Sequence, residues 1–442
     1  MADPARQTAM AVLSRTERQH AYASVVLDAQ LRKQKLSSSD RALATELVYG
    51  CLRHAIRLDE TALRLADGRK LDPLSLRLLR LGLYQLAFLR IPEHAAVHAS
   101  VGLAPPERRG LINALLRRFI REGRRLAEPV PGDGAARGLS LLYSHPLWMV
   151  ERMLARYDEQ TVEQALDALN ANLGVHLRAE VEPEELIAAL AREGHTARAG
   201  RLASRAVRLD RFSLLGRDQL FREGRYTPQD EASQTVIELC GAQPGQKVLD
   251  LCAAPGNKTT GLARAVGPEG RVTALDLHPT RLGRVPEEAR RLGLFNIESR
   301  VADATNRREL DRALKDRGEF DLVLVDAPCS ALGTLAHSPE LKARRVPADI
   351  ERLAALQLEL LQSAVARTAH GGTLVYSVCT LTPEENAGVV AKLLEACPEL
   401  EPQAFDALGT DWDKIKSAPH EVEILPQLFG TEGFYVARFV RR

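Results

Sequence analysis

Two cysteines fifty residues apart each follow an apolar run that reads as a buried strand. DLVLVDAP (Asp321–Pro328) precedes Cys329, and GGTLVYSV (Gly371–Val378) precedes Cys379. Upstream, KVLDLCAAPGNKTTGLA (Lys247–Ala263) reads as a strand, a glycine-containing loop and a helix start. A nucleotide-type cofactor loop with thiols at two strand ends points to covalent catalysis on an electron-poor ring. Carbon 5 of a pyrimidine is a poor nucleophile. A thiolate added at carbon 6 makes the ring enamine-like, so that carbon 5 can attack a methyl sulfonium. Loss of the carbon 5 proton then expels the thiol. This chemistry needs a thiolate, a group near N3 and the amino group, and a base. Cys379 stands before TPEEN, which reads as a helix opening, and Cys329 stands beside Asp326. Cys51, Cys240 and Cys397 fall on expected helices and read as core residues.

The cofactor loop is Cys252, Ala253, Ala254, Pro255, Gly256, Asn257 and Lys258. Its small residues let the backbone approach a ligand, and a helix starting near Asn257 offers free N–H donors. Asp276 lies 20 residues past Gly256, at the end of RVTALD, where an acid hydrogen-bonds ribose hydroxyls. Asp303 ends the third strand and would face an adenine amino group; Asp326 ends the fourth. One glycine makes neither G-x-G-x-x-G nor G-x-x-x-x-G-K-[ST], so the pyrophosphate cradle is missing. A nucleoside without a diphosphate fits better than a dinucleotide, and S-adenosyl-L-methionine is the one that carries a methyl sulfonium. Acids at three successive strand ends argue against an empty turn, because each would otherwise be a buried unpaired charge.

These residues need a frame. The 442 residues suffice for two or three domains, and 45% hydrophobic with 27% charged residues is ordinary for a globular chain. No apolar run approaches the roughly 18 residues of a membrane span. The first residues lack a secretory apolar core, and six cysteines without a C-x-x-C pair indicate reduced thiols in the cytosol. From Lys247, short strands alternate with helices (KVLDL, RVTALDL, NIESRVAD, DLVLVDA, GGTLVYSV), with FYVARFV as a last, edge-region strand. The expected fold is α/β: a doubly wound parallel sheet over 236–442, with ligands at the carboxyl strand ends. Residues 1–126 read as all helix, with Asp40 as an N-cap, 127–139 as a Pro/Gly linker, and 140–235 as a small α+β connector. Residues 1–125 hold 22 Lys and Arg against 12 Asp and Glu, although the whole chain is only +2. A basic front on an acidic rear suggests a polyanion contact.

DLCAAPGNKT, DAPCSALGT, SPELK and YSVCTLTPEEN resemble, in order, the motifs of the RNA 5-methylcytosine methyltransferases of the NOL/NOP/Sun family. RALATELVYGCLR, HAAVHASVGLA and LINALLRR resemble a NusB-like RNA-binding domain, and YSHPLWMVERMLARY with QDEASQ resembles one subfamily's connector. The resemblance implies a Rossmann-like methyltransferase domain that uses S-adenosyl-L-methionine, with RNA as partner, small-subunit ribosomal RNA first. It implies that Cys379 is the nucleophile, that Cys329 assists release of the methylated base, and that Asp326 contacts the cytosine near the cofactor. Position alone leaves the order of the thiols open, since DNA cytosine methyltransferases use a Pro-Cys cysteine, which would be Cys329. Asn257 stands where the family commonly has a second glycine, and SALGTLAHSPE replaces S-G-T-G followed by a basic pair.

Arg117, Arg118, Arg121, Arg124 and Arg125 recur at helical spacing and could track phosphates, and Lys342 in SPELK is a further basic candidate. His94 and His98 have helical spacing but no third ligand nearby, so no metal is expected. A monomer is expected. Two other readings are a non-catalytic RNA-binding factor and a methyltransferase for another substrate, such as tRNA, DNA or protein. The cofactor loop disfavours the first, and DAPC in place of [DN]-P-P-[FYW] disfavours amino methylation.

Overall fold

In the computed structural model, which describes residues 3–210, 218–406 and 411–442, contacts divide the chain into two units. One runs to Ala171 and includes Leu335–Arg345; the other comprises Asn172–Thr334 and Val346–Arg442.

The first unit is helical. Pro4–Gln19, Ser38–Arg53, Pro73–Phe88 and Pro106–Arg121 bury apolar stripes that meet at Leu13, Leu47, Val48, Leu78, Leu79, Leu116 and Phe119. Three of these helices begin with a proline, whose missing N–H costs nothing in a first turn. Asp72 caps the third by accepting from the Leu74 and Ser75 N–H groups. Asp40 is not a cap: Ser37 fills that role and accepts from the Asp40 N–H at 3.1 Å. The expected boundaries also shift. Gly134–Tyr143 is helix, so the 127–139 linker is shorter than its composition suggests, and Leu147–Leu154 and Glu159–Ala168 group with this unit. Their apolar faces (Leu139, Met149, Val150, Val162, Leu166) are buried, which a linker's would not be.

The second unit holds two sheets. Strands β1 (Val175–Ala179), β2 (Ala197–Ala199), β3 (Ala206–Leu209) and β4 (Tyr226–Pro228) form an antiparallel sheet in the order β2-β3-β1-β4. The second sheet contains β5 (Lys247–Asp250), β6 (Arg271–Asp276), β7 (Ile297–Val301), β8 (Phe320–Asp326), β9 (Thr368–Val378), β10 (Leu400–Pro402), β11 (Lys416–Ala418), β12 (Glu421–Ile424) and β13 (Phe434–Arg441). Its order is β11-β12-β13-β9-β8-β5-β6-β7, with β10 also on β13. The pairs β6–β7, β5–β6, β5–β8 and β8–β9 are parallel, and those made by β13 are antiparallel. The fold is therefore Rossmann-like, with the order reversing between β5 and β8, where ligands sit in such sheets. FYVARFV is not at the edge. β13 lies between β9 and β12, and its first six residues are buried.

Within this unit Arg178 of β1 joins the small sheet to the helix that follows β5. Its guanidinium donates to the Asn257 carbonyl at 2.5 Å and to Thr260 Oγ1 at 2.9 Å, and pairs with Glu180 at 2.8 Å. Both charges are almost wholly buried. Arg178→Ala would leave the Glu180 carboxylate with Arg264 as its remaining cation. It is expected to lower unfolding free energy by about 3 kcal/mol in urea titration.

Candidate active site

The parallel pairing of β8 and β9 sets Asp326 opposite Ser377, so both chains leave the sheet at the same end. Cys329 and Cys379 emerge there, half-buried, with their sulfurs 3.4 Å apart. The thiols expected at neighbouring strand ends are thus in contact. Lys258 Nζ pairs with Asp326 Oδ2 at 2.7 Å, while Asp326 Oδ1 accepts from Ser377 Oγ at 2.7 Å. The ammonium lies 5.1 Å from the centre of the Phe434 ring. Burial works against its charge, but Asp326 outweighs burial and holds Lys258 above the usual lysine range.

No helix start stabilises a Cys379 thiolate. TPEEN forms a turn, and the helix begins only at Ala387. The hydrogen bond with Cys329, then burial, raise the Cys379 thiol well above the ordinary thiol range. The resting site therefore favours the neutral thiol.

Strand β5 ends at Asp250, a carboxyl that sequence reading passed over although it repeats the strand-end acid pattern. It is fully buried; Oδ2 accepts from Thr259 Oγ1 at 2.7 Å, and Oδ1 has no partner. Burial pushes its pKa up to about 7. Asp276, ending β6, accepts from the Ala254 and His278 N–H groups. This fixes the loop to the strand and leaves the carboxylate lone pairs for a further donor. Asp303 lies two residues past β7; Oδ1 accepts from the Thr305 N–H and hydroxyl. Gly256 adopts φ +113°, and a Cβ there would sit 2.9 Å from Val285 Cγ2. The glycine lets the loop lie on the helix Arg284–Arg291. Cys252 is half-buried, and burial raises its thiol well above the ordinary range. S-adenosylmethionine is tested here by charge and by the orphaned Asp250 oxygen. Asp276, Asp303 and Asp326 set against Lys258 and Arg281, whose guanidinium donates to the Ala254 carbonyl at 3.0 Å, leave an excess of negative charge, and both observations fit a sulfonium donor.

Residues 237–440 match the family model described as 16S rRNA methyltransferase RsmB/F. Residues 3–121 match the NusB family, and residues 145–214 match the RsmF/B-like ferredoxin-like domain. A probable ribosomal RNA small subunit methyltransferase B of Bacillus subtilis is 33% identical over 98% of this chain and 97% of its own length. The chain belongs to the RsmB/F family of methyltransferases. Another family member, the ribosomal RNA small subunit methyltransferase B of Yersinia pestis, is 34% identical over 93% of this chain and 92% of its own. The crystal structure of PH0851 has the same fold, with a TM-score of 0.81 at 22% identity and full coverage of both chains. NSun6 from Pyrococcus horikoshii, crystallised with SFG, gives 0.57 at 19% identity over 66% of this chain and 97% of its own.

This RsmB/F chain departs from the motif pattern at two places, and both are accommodated. The Asn257 side-chain amide donates to the Pro228 carbonyl of β4 at 3.1 Å. Ala331 adopts φ +59°, the left-handed region that glycine occupies without a Cβ penalty. Two residues on, Gly333 donates to the Cys379 carbonyl at 3.0 Å, and a Cβ on it would collide with the Gly433 carbonyl oxygen at 2.1 Å.

The basic candidates fare differently. Lys342 is buried in the helical unit, donating to the Arg53 carbonyl and Asn170 Oδ1, which removes it from the RNA-contact candidates. The helix ends at Arg121, so Arg124 and Arg125 are not on its stripe; Arg124 sits at φ +58° and pairs with Glu93. Arg118 is engaged with Asp67 and Glu122. Arg117 and Arg121 remain exposed on the helix.

The folded protein keeps the Asp250 proton up to about pH 7, whereas an unfolded aspartate releases it near pH ~4. Folding therefore takes up a proton between those values, and this residue's contribution to stability falls as pH rises through the interval. Asp250→Asn is expected to flatten that part of the Tm–pH profile and to raise Tm above neutral pH. Ala331→Gly should relieve the left-handed strain and raise Tm by about 2 °C in a calorimetric scan.

Proposed function

We propose that this chain transfers a methyl group from S-adenosylmethionine to carbon 5 of a cytosine in small-subunit ribosomal RNA, in the cytosol, through a transient cysteine–pyrimidine bond. The observation that carries the reading is the contact between two half-buried thiols at the carboxyl edge of the parallel strands. The names borne by the full-length relatives support ribosomal RNA as the substrate class. The NusB match and the basic amino-terminal region support an RNA-facing role for the helical unit.

The target cytosine must be unstacked before a side chain can reach its ring face, at a cost of a few kcal/mol unless the RNA is already looped. Cys379 Sγ adds to carbon 6 while its proton passes to ring N3, which receives the electron pair displaced from the double bonds and leaves carbon 5 enamine-like. Lys258, beside Asp326, favours negative charge developing on that sulfur. Asp326 accepts from the cytosine amino group and orients the ring. S-adenosylmethionine, held by the loop Cys252–Lys258 with Asp276 and Asp303, supplies the electrophilic methyl group. Cys329, acting as a thiolate, takes the carbon 5 proton; that electron pair closes the 5,6 double bond and expels the Cys379 sulfur, which recovers its proton from N3 as the 5-methylcytosine leaves.

Cys379→Ser is expected to lower methylation of small-subunit RNA at least 1000-fold, measured by incorporation of labelled methyl. Activity near wild type would overturn the assignment of the nucleophile. Cys329→Ser should let the first bond form but not break, giving a slow-migrating RNA–protein band on a denaturing gel. Turnover without such a band would overturn the release role.

A further inference from the structure

Behind the two thiols lies a fully buried carboxylate, Glu385, that the chemistry above does not use. Its Oε1 accepts from the Ser330 N–H at 2.8 Å and from Gln357 Nε2 at 3.0 Å. Its Oε2 accepts from Thr382 Oγ1 at 2.7 Å and Thr380 Oγ1 at 3.3 Å. Ser330 directly follows Cys329, and Thr380 directly follows Cys379. Their hydroxyls also touch each other at 2.6 Å. The other hydrogen of the Gln357 amide goes to the carbonyl of Pro328, which precedes Cys329, at 3.0 Å. The Tyr376 hydroxyl donates to the Glu385 main-chain carbonyl at 2.6 Å and lies 3.0 Å from Gln357 Oε1. One side chain thus grips the residue after each cysteine, and its partner Gln357 grips the residue before one of them.

We infer that Glu385 is a positioning residue that locks the two thiol-bearing loops together and fixes the separation of the Cys329 and Cys379 sulfurs. The inference rests on the reading that both thiols serve the reaction. A carboxylate suits the place because it accepts only, and four donors converge on its two oxygens. Burial without them would be strongly unfavourable. With them, the buried charge becomes a rigid joint between the two loops, added to the Gly333–Cys379 and Ser330–Thr380 hydrogen bonds. Sulfur positions set to within a fraction of an ångström matter because reacting groups need near-attack geometry, and a 1 Å error costs about 100-fold.

The amide of glutamine can mimic this joint. Its oxygen can face the Ser330 and Gln357 N–H groups, while its NH2 donates to the threonine hydroxyls, which can accept. Alanine cannot.

The test reads thiol separation directly. Diamide oxidises two adjacent thiols to a disulfide, taking up their two hydrogens. The rate of appearance of the Cys329–Cys379 disulfide peptide is followed by mass spectrometry in the full-length protein, beside kcat and the KM for S-adenosylmethionine. Glu385→Ala is expected to slow cross-linking about 10-fold and kcat about 100-fold with KM little changed. Glu385→Gln should restore both to within about 5-fold. Thr382→Val, nearly isosteric, removes one donor and should slow both by a smaller factor, which keeps the proposal testable if the alanine variant does not fold. Wild-type cross-linking and kcat in Thr382→Val, or in a folded Glu385→Ala, would overturn the proposal. So would a Glu385→Gln variant as impaired as the alanine one. Failure of the covalent reading is distinguishable, because it would show as an active Cys379→Ser whatever the Glu385 variants do.

Discussion

Two sulfur atoms 3.4 Å apart, each on a different loop, demand that both loops leave the sheet side by side and in the same direction. Only adjacent parallel strands do this, since antiparallel neighbours exit at opposite ends. Strands β8 and β9 satisfy the demand with Asp326 and Ser377 in register and hydrogen-bonded through their side chains. The crossover between them, containing the helix Pro347–Val365, contributes Gln357, which donates to the carbonyl just before Cys329. Gly333 and Gly433 meet backbone to backbone on the other side, with Gly333 holding the Cys379 carbonyl. The site is thus pinned by main-chain contacts, which tolerate little movement.

The electrostatics of the site follow from burial. Carboxyls at the ends of β5, β6 and β8 share a poorly solvated region with one ammonium, and the most buried of them, Asp250, keeps its proton to about pH 7. Negative charge at the strand ends favours a cationic donor, and Lys258, paired with Asp326, is the cation that acts on Cys379. The hydrogen bond to Cys329 and burial both favour the neutral Cys379 thiol in the resting protein.

Much of this was legible in the chain. Four of the five parallel strands were readable as apolar runs bounded by turn residues, while β7, Ile-Glu-Ser-Arg-Val, was placed by the alternation of strands and helices, and the strand-end acids and cysteines fell at the carboxyl edge as the topology requires. The antiparallel half was not: EVEI alternates with acids, so β12 gave no apolar run, and FYVARFV therefore looked unflanked. Asp40 and the five-arginine stripe were misplaced because local spacing cannot tell where a helix begins or stops. Ser37 starts one helix, and Gly123 with Arg124 in left-handed conformations follows the end of the other. Lys342 read as a basic candidate for RNA contact, but its burial depends on acceptors from residues 53 and 170, far off in sequence. Asp250 and Glu385 were hidden for a related reason. A buried acid announces itself through its neighbours in space.

The central claim is that Cys379 forms the bond to the pyrimidine. RNA carrying 5-fluorocytosine at the target position tests it most directly, because fluorine on carbon 5 cannot leave as a proton and the adduct cannot resolve. After incubation with S-adenosylmethionine and digestion, mass spectrometry should find the modified nucleotide on the peptide containing Cys379. Recovery of the nucleotide on the Cys329 peptide, or no adduct despite methylation of ordinary RNA, would contradict the account.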